Sequence, residues 1–201
     1  MKKQILPLFS SCVTVIKIDE DIKELKTSNE KFRNSEWGSS SSSINKRVLE
    51  KYPKTKKILL DKFKKVALED YEYENDFIIT TSWFTKTLKD QSSLMHVHKN
   101  SFYSCVYYFD NYTDKSAAIN FHSPLQQFYD FEIIPSNWNM QNSTTWRIQP
   151  QKNCLLIFPS YLQHSIEPSI EDTTRYSLAF NIIPVGEYGS EDFMVNTEWL
   201  T

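Results

Sequence analysis

Cys154-Leu155-Leu156-Ile157-Phe158-Pro159-Ser160-Tyr161-Leu162-Gln163-His164 is the stretch on which the fold turns. An apolar run of strand length meets a proline, which lacks the N–H needed to continue a ladder, and a histidine follows five residues later. Eleven residues beyond that histidine comes Arg175-Tyr176-Ser177-Leu178-Ala179-Phe180-Asn181. In an extended chain Arg175, Ser177, Ala179 and Asn181 share one face, and Tyr176, Leu178 and Phe180 the other. An arginine aimed into a core must be paired, because an isolated buried cation is costly. A carboxylate suits it, since guanidinium offers a two-pronged donor of matching geometry.

Around these segments, residues 77–88, 102–109, 117–122, 131–134, 144–149, 154–158 and 175–183 are rich in β-branched and aromatic residues, with turn-forming clusters between most of them. Short strands at this spacing predict a sandwich or barrel of jelly-roll type. Upstream, 5–18 reads as a strand or extended pair, and 20–34 as a polar stretch with weak helical spacing. Gly38 with Ser39 to Ser43 reads as a small-residue linker too polar to pack. From Ile44 to about Asp70 the pattern is helical, with Leu59, Phe63, Val66 and Ala67 on one side and lysines on a solvated face. Pro53 should break it, the second helix starting there, where a first-turn proline is tolerated. Helices first and strands afterwards predict an α+β, mainly β fold with the helices on one face. The expected organisation is a single domain over 1–201: a helical and linker region 20–70, a β core 77–184 and a tail 185–201. No internal repeat is present.

The 201 residues suffice for one sizeable core. With 23 basic against 25 acidic side chains, no electrostatic footprint for nucleic acid exists. Gly38, Gly186 and Gly189 are the only glycines, too few and too scattered for a phosphate-cradling loop. Cys12, Cys105 and Cys154 are odd in number and widely spaced, which argues against a disulfide framework or thiolate zinc site and points to a reducing cytoplasm. The N-terminal apolar stretch is interrupted by Pro7 and Lys17 and reads as a first strand, not a signal peptide. No run approaches the roughly 18 apolar residues of a membrane span.

The four histidines, His96, His98, His122 and His164, all lie in the β-rich part. His96 and His98 are one residue apart, so on an extended chain both rings point to the same side. Two imidazoles from one strand end can ligate one metal from adjacent directions, with a third ligand from another strand and positions left open; His164 is the best third ligand. Non-haem iron(II) oxygenases hold iron in this way, by three ligands on one face. His122 has no such support beyond a place near substrate. Tyr107 and Tyr108 alternate faces, so one of them points inward; Tyr107 is the candidate to hydrogen-bond a cosubstrate. Asn181 shares the face of Arg175, and Trp83 is a packing residue that can also form pocket wall.

Taken together, His96-Val-His98, Asn100-Ser101-Phe-Tyr-Ser104-Cys-Val-Tyr107-Tyr108, Phe158-Pro-Ser-Tyr-Leu-Gln-His164 and Arg175-Tyr-Ser177-Leu-Ala-Phe-Asn181 resemble the 2-oxoglutarate/Fe(II) oxygenase superfamily. They are most similar to a branch found in bacteria and their viruses. The resemblance covers roughly residues 77–184, including the strand around Trp83, with a weaker match through Leu6-Pro7-Leu8-Phe9. It implies a double-stranded β-helix core, iron(II), 2-oxoglutarate and O2 as cofactors, and hydroxylation of a small-molecule or peptide substrate with release of succinate and CO2. It further implies that His96 and His164 bind iron, and that Arg175, with a hydroxyl from Ser177, meets the far carboxylate of 2-oxoglutarate. His98 departs from the pattern, since most of the superfamily has Asp or Glu there; the ligand set becomes three neutral imidazoles, or His98 stands behind a water. Two rival readings stay open: a three-histidine cupin-like metal enzyme without 2-oxoglutarate, and a non-catalytic jelly-roll binding module. Substrate identity and oligomeric state are not legible.

Overall fold

In the computed structural model, residues 3–6, 8–125 and 133–200 are described. The chain runs through strands β1 (Thr14–Lys17), β2 (Phe32–Asn34) and β3 (Ser41–Ser43), a short 3-10 turn at Val48–Lys51 and helix α1 (Pro53–Glu69). Then come β4 (Asp76–Thr87), β5 (Ser93–His96), β6 (Tyr103–Tyr108), β7 (Ile119–His122) and β8 (Thr145–Ile148). β9 (Cys154–Pro159), β10 (His164–Ile166) and β11 (Arg175–Val185) complete the core, and a small hairpin of Glu187–Tyr188 with Val195–Asn196 follows. A seven-stranded sheet has the order β1-β9-β6-β11-β4-β3-β2, and a four-stranded sheet the order β5-β10-β7-β8, every pairing antiparallel. The expected α+β, mainly β jelly-roll arrangement is what the chain adopts.

The large sheet is buried on both faces, and its sequence shows why. Along β6 all six residues are buried: Tyr103, Cys105 and Tyr107 join Leu59, Phe63 and Val66 of α1 in one apolar cluster. Val106 and Tyr108 join Ile119, Phe121, Leu156 and Phe158 in a second cluster between the two sheets. One face therefore packs on the helix and the other on the small sheet, a division set by the two-residue period of the strand. Helix α1 places Pro53 in its first turn and buries Leu59, Phe63, Val66 and Ala67, a spacing that forms one stripe. Its lysines pair outward, as in Lys57 with Asp61 and Lys62 with Glu20.

Several expectations require correction. Residues 20–34 form no helix; Glu24 instead accepts from the backbone N–H and hydroxyl of Thr55, supplying the helix start that Tyr52 cannot cap. The serine run is not a loose linker. Ser41–Ser43 is β3, and Ser43 is fully buried because its hydroxyl donates to the Asn45 carbonyl and accepts from the Phe84 N–H. Gly38 sits at φ +127°, and a Cβ there would meet the Ser92 carbonyl oxygen at 2.6 Å, so only glycine lets this segment lie on Ser92–Leu94. Of the strand expected at 131–134, residues 131 and 132 lie outside the described residues and Ile133–Ile134 are not in a strand; Pro7 is also outside them. β10 was not foreseen as a strand, and β5 only as the strand end that carries His96. Among the described residues no helix is long and apolar enough to cross a membrane.

Candidate metal centre

β5 and β10 are short, and their work is to bring two histidines opposite one another. His96 ends β5, His164 begins β10, and the two are direct partners in the ladder. His98 lies two residues past the end of β5, fixed by its backbone N–H donating to the Ser160 carbonyl at 3.0 Å. The ring centroids are 4.4 Å apart for His96 and His164, 5.1 Å for His98 and His164, and 5.5 Å for His96 and His98. One nitrogen of each ring lies within 4.8 Å of the others, a spacing that can hold a metal ion.

The opposite nitrogens are engaged. Nδ1 of His96 meets the Leu94 carbonyl at 2.7 Å, and Nδ1 of His164 meets that of Leu162 at 3.0 Å. A carbonyl only accepts, so Nδ1 carries the proton in both rings and Nε2 keeps its lone pair. His98 Nδ1 meets Asn181 Oδ1 at 2.8 Å and Ser104 Oγ at 2.9 Å. Asn181 donates its amide to Thr81 Oγ1 at 3.0 Å, which leaves Oδ1 facing the imidazole as an acceptor and gives His98 the same tautomer. Ser104 is held in turn by Ser160, at 2.8 Å. Burial pushes His164 down to about 3, with the two neighbouring imidazoles adding to it, and His98 down to about 4; it lowers His96 as well. All three are therefore neutral imidazoles near pH 7, the form that can ligate a metal. Trp37 stacks on His96 with centroids 5.9 Å apart, and Trp83 packs against His98 at 5.4 Å.

The cavity over these rings measures about 620 Å³ and runs to Arg175, the first residue of β11. Arg175 is 3% exposed, with contacts of 3.5 Å to Ser177 Oγ and to Tyr108 Oη, and its guanidinium lies 5.4 Å from the centre of the Tyr108 ring. Its Nε has no partner, and among the described residues no carboxylate pairs with it. A buried guanidinium with an unsatisfied donor fits an incoming carboxylate. Ser177 is anchored to Thr85 Oγ1 at 2.6 Å. Burial raises the Tyr108 phenol, although the guanidinium opposes this, so it stays a neutral donor.

The structure thus gathers His96, His98, His164, Arg175, Ser177, Asn181 and Trp83 around one cavity. Tyr107 is not there. It points to the helix side of β6, where its hydroxyl donates to Asn153 Oδ1 at 3.3 Å; its neighbour Tyr108 takes the inward position. His122 is also elsewhere, its Nε2 2.9 Å from Ser165 Oγ and its ring outside the cavity lining. Ser104, Thr85, Trp37 and Lys46 were missed. Ser104 and Thr85 could have been found by counting strand parity from Asn181 and Ser177 across the sheet.

A family model described as putative 2OG-Fe(II) oxygenase matches residues 81–181. No curated protein matches the chain in sequence. Among solved structures, the chain is similar to HygX from Streptomyces hygroscopicus with nickel, 2-oxoglutarate and hygromycin B bound. The TM-score is 0.56 at 9% identity, over 87% of this chain and 83% of that one. It is also similar to a Pseudomonas putida prolyl-4-hydroxylase, with TM-score 0.51 at 13% identity, over 77% and 78%. A third likeness is to a Trichoplax adhaerens prolyl hydroxylase in complex with a hypoxia inducible factor peptide fragment, with TM-score 0.52 at 12% identity, over 76% and 70%. At these identities the likenesses speak for the fold.

Proposed function

The chain belongs to the 2OG-Fe(II) oxygenase family and is an oxidoreductase dependent on iron(II) and 2-oxoglutarate; from that premise we propose that it hydroxylates a small-molecule or peptide substrate. Bound iron and 2-oxoglutarate supply the activation of O2, and the balance is one C–H bond, one O2 and one 2-oxoglutarate to one C–OH, one succinate and one CO2.

The chain's own residues position and exclude. His96, His98 and His164 present three neutral Nε2 lone pairs from one side, so the opposite side stays open to cosubstrate and oxygen. Arg175 receives the far carboxylate, with the Tyr108 hydroxyl and Ser177 beside it as further donors. Val106, Ile119, Ile166 and Ala179 make the wall between these groups apolar, which keeps water away and strengthens each charge–charge contact. Asn181 and Ser104 fix the His98 ring.

The observation that carries the reading is the pairing, in one cavity, of three converging neutral imidazoles with a buried guanidinium to which no described residue offers a carboxylate. The test is anaerobic titration of iron(II) and then 2-oxoglutarate into the protein, followed by a succinate assay in air. Binding of both with slow succinate release supports it; iron bound without any 2-oxoglutarate affinity favours the cupin-like alternative.

A further inference from the structure

We infer that the cavity holds a second anion-binding position, built from Lys46 and Arg33, and that the substrate is an organic acid docked there by its acidic group. This rests on the oxygenase reading and narrows its substrate class.

Lys46 follows β3 and turns into the cavity. Its ammonium donates to Ser42 Oγ at 2.9 Å and lies 5.6 Å from the centre of the Trp83 ring. It is partly buried, and among the described residues no carboxylate lies within ion-pair distance of it or of Arg33. Most lysines of α1 differ: Lys56, Lys57, Lys62, Lys64 and Lys65 each pair with an acid. Burial and the charge of Arg33 both press against the ammonium form of Lys46, and Glu36 offsets them only in part. A partly desolvated cation held against an indole, with no counter-ion among the described residues, is a site that an anion would relieve.

The charge count points the same way. Among the described residues Arg33, Lys46, Lys99 and Arg175 line the cavity, against Glu36 as the one acidic residue. Three imidazoles leave a divalent metal with its full charge, where a ligand carboxylate would have removed one unit. Metal and Arg175 together exceed the two negative charges of 2-oxoglutarate by one, so the deep end stays positive after the cosubstrate binds. The mouth adds further positive charge. A low-dielectric cavity of that sign draws an anion. Trp83 stands between the two ends, 5.6 Å from the Lys46 ammonium and 5.4 Å from the His98 ring. The acid group is therefore held about one indole ring away from the histidines.

The experiment uses the protein loaded anaerobically with iron(II) and 2-oxoglutarate, and probes it with small carboxylic acids and their primary amides, such as phenylacetate with phenylacetamide and hexanoate with hexanamide. Binding is followed by Trp fluorescence and calorimetry. At least one acid should bind about ten-fold more tightly than its amide, the preference should disappear in K46M, and K46R should restore it, which a damaged fold would not do. No preference for any acid in the wild type, or a preference that survives K46M, overturns the inference. A parallel loss of 2-oxoglutarate affinity in K46M also overturns it, by placing Lys46 with the cosubstrate. A wild type that binds no 2-oxoglutarate sinks the oxygenase reading instead, and an acid preference dependent on Lys46 would still be visible beside it.

Discussion

His96 and His164 are register partners across β5 and β10, so the backbone ladder itself sets the distance between the two rings, 4.4 Å from centroid to centroid. H96A and H164A should each reduce iron recovered after purification and dialysis to background, measured by elemental analysis. Iron retained by both variants would remove the metal centre.

Arg175 gives a test in which binding and stability part company. R175M should weaken 2-oxoglutarate binding by about 100-fold while leaving iron content intact. Because the guanidinium is buried with an unpaired Nε, the 2-oxoglutarate-free variant should melt no lower than the wild type. A drop in melting temperature with unchanged cosubstrate affinity would make Arg175 a structural residue.

Neighbouring tyrosines should behave oppositely. Y108F removes a hydroxyl 3.5 Å from Arg175 and should raise the 2-oxoglutarate Kd several-fold, whereas Y107F removes one that faces Asn153 and should leave the Kd unmoved. Equal effects in calorimetry would show that the two faces of β6 have been misassigned.

N181A should lower metal affinity by about 10- to 100-fold, since it frees the His98 ring to rotate and change tautomer. N181D should retain most of it, because an acceptor remains at the imidazole N–H. Competition with a coloured chelator for cobalt(II) reads this without any turnover; identical affinities for wild type and N181A would disconnect Asn181 from the metal.

The metal-free protein should lose stability on mild acidification. His98 and His164 are held at about 4 and about 3 when folded, against about 6.5 in an unfolded chain. Below 6.5 the unfolded state takes up protons that the folded state refuses, so stability is full above that pH and falls as pH drops towards 4. In chelator, the melting temperature should decrease from about pH 7 to about pH 5, where carboxylates remain largely ionised, and H98N should show a shallower decrease. Equal slopes for both proteins would refute this.

Much of this was legible in the residues, for identifiable reasons. The two-residue period of β11 assigns Arg175, Ser177 and Asn181 to one face, and Pro53 announces the start of α1. Parity failed at β6, because burial on both faces erases the polar and apolar alternation that would have told Tyr107 from Tyr108. β10 escaped notice, and β5 was legible only through the His96–His98 spacing, because Ser-Leu-Met-His and His-Ser-Ile carry little strand preference and owe their state to tertiary pairing. The serine run misled for the converse reason: its hydroxyls find buried partners that composition does not reveal. Lys46 lies outside every motif and is placed only by the turn after β3.

The two halves of the centre sit on different sheets. His96 and His164 ride on the small one, while Arg175, Tyr108 and Ser177 ride on the large one. On the proposed binding mode, 2-oxoglutarate spans the apolar layer between them, where Phe121 meets Phe158 with centroids 4.9 Å apart. A molecule of bounded reach acts as a gauge of that layer. Trimming Phe158, whose ring packs on His164 with centroids 4.9 Å apart, would change the fit of such a guest without touching its carboxylates, so cosubstrate recognition reaches into hydrophobic side chains.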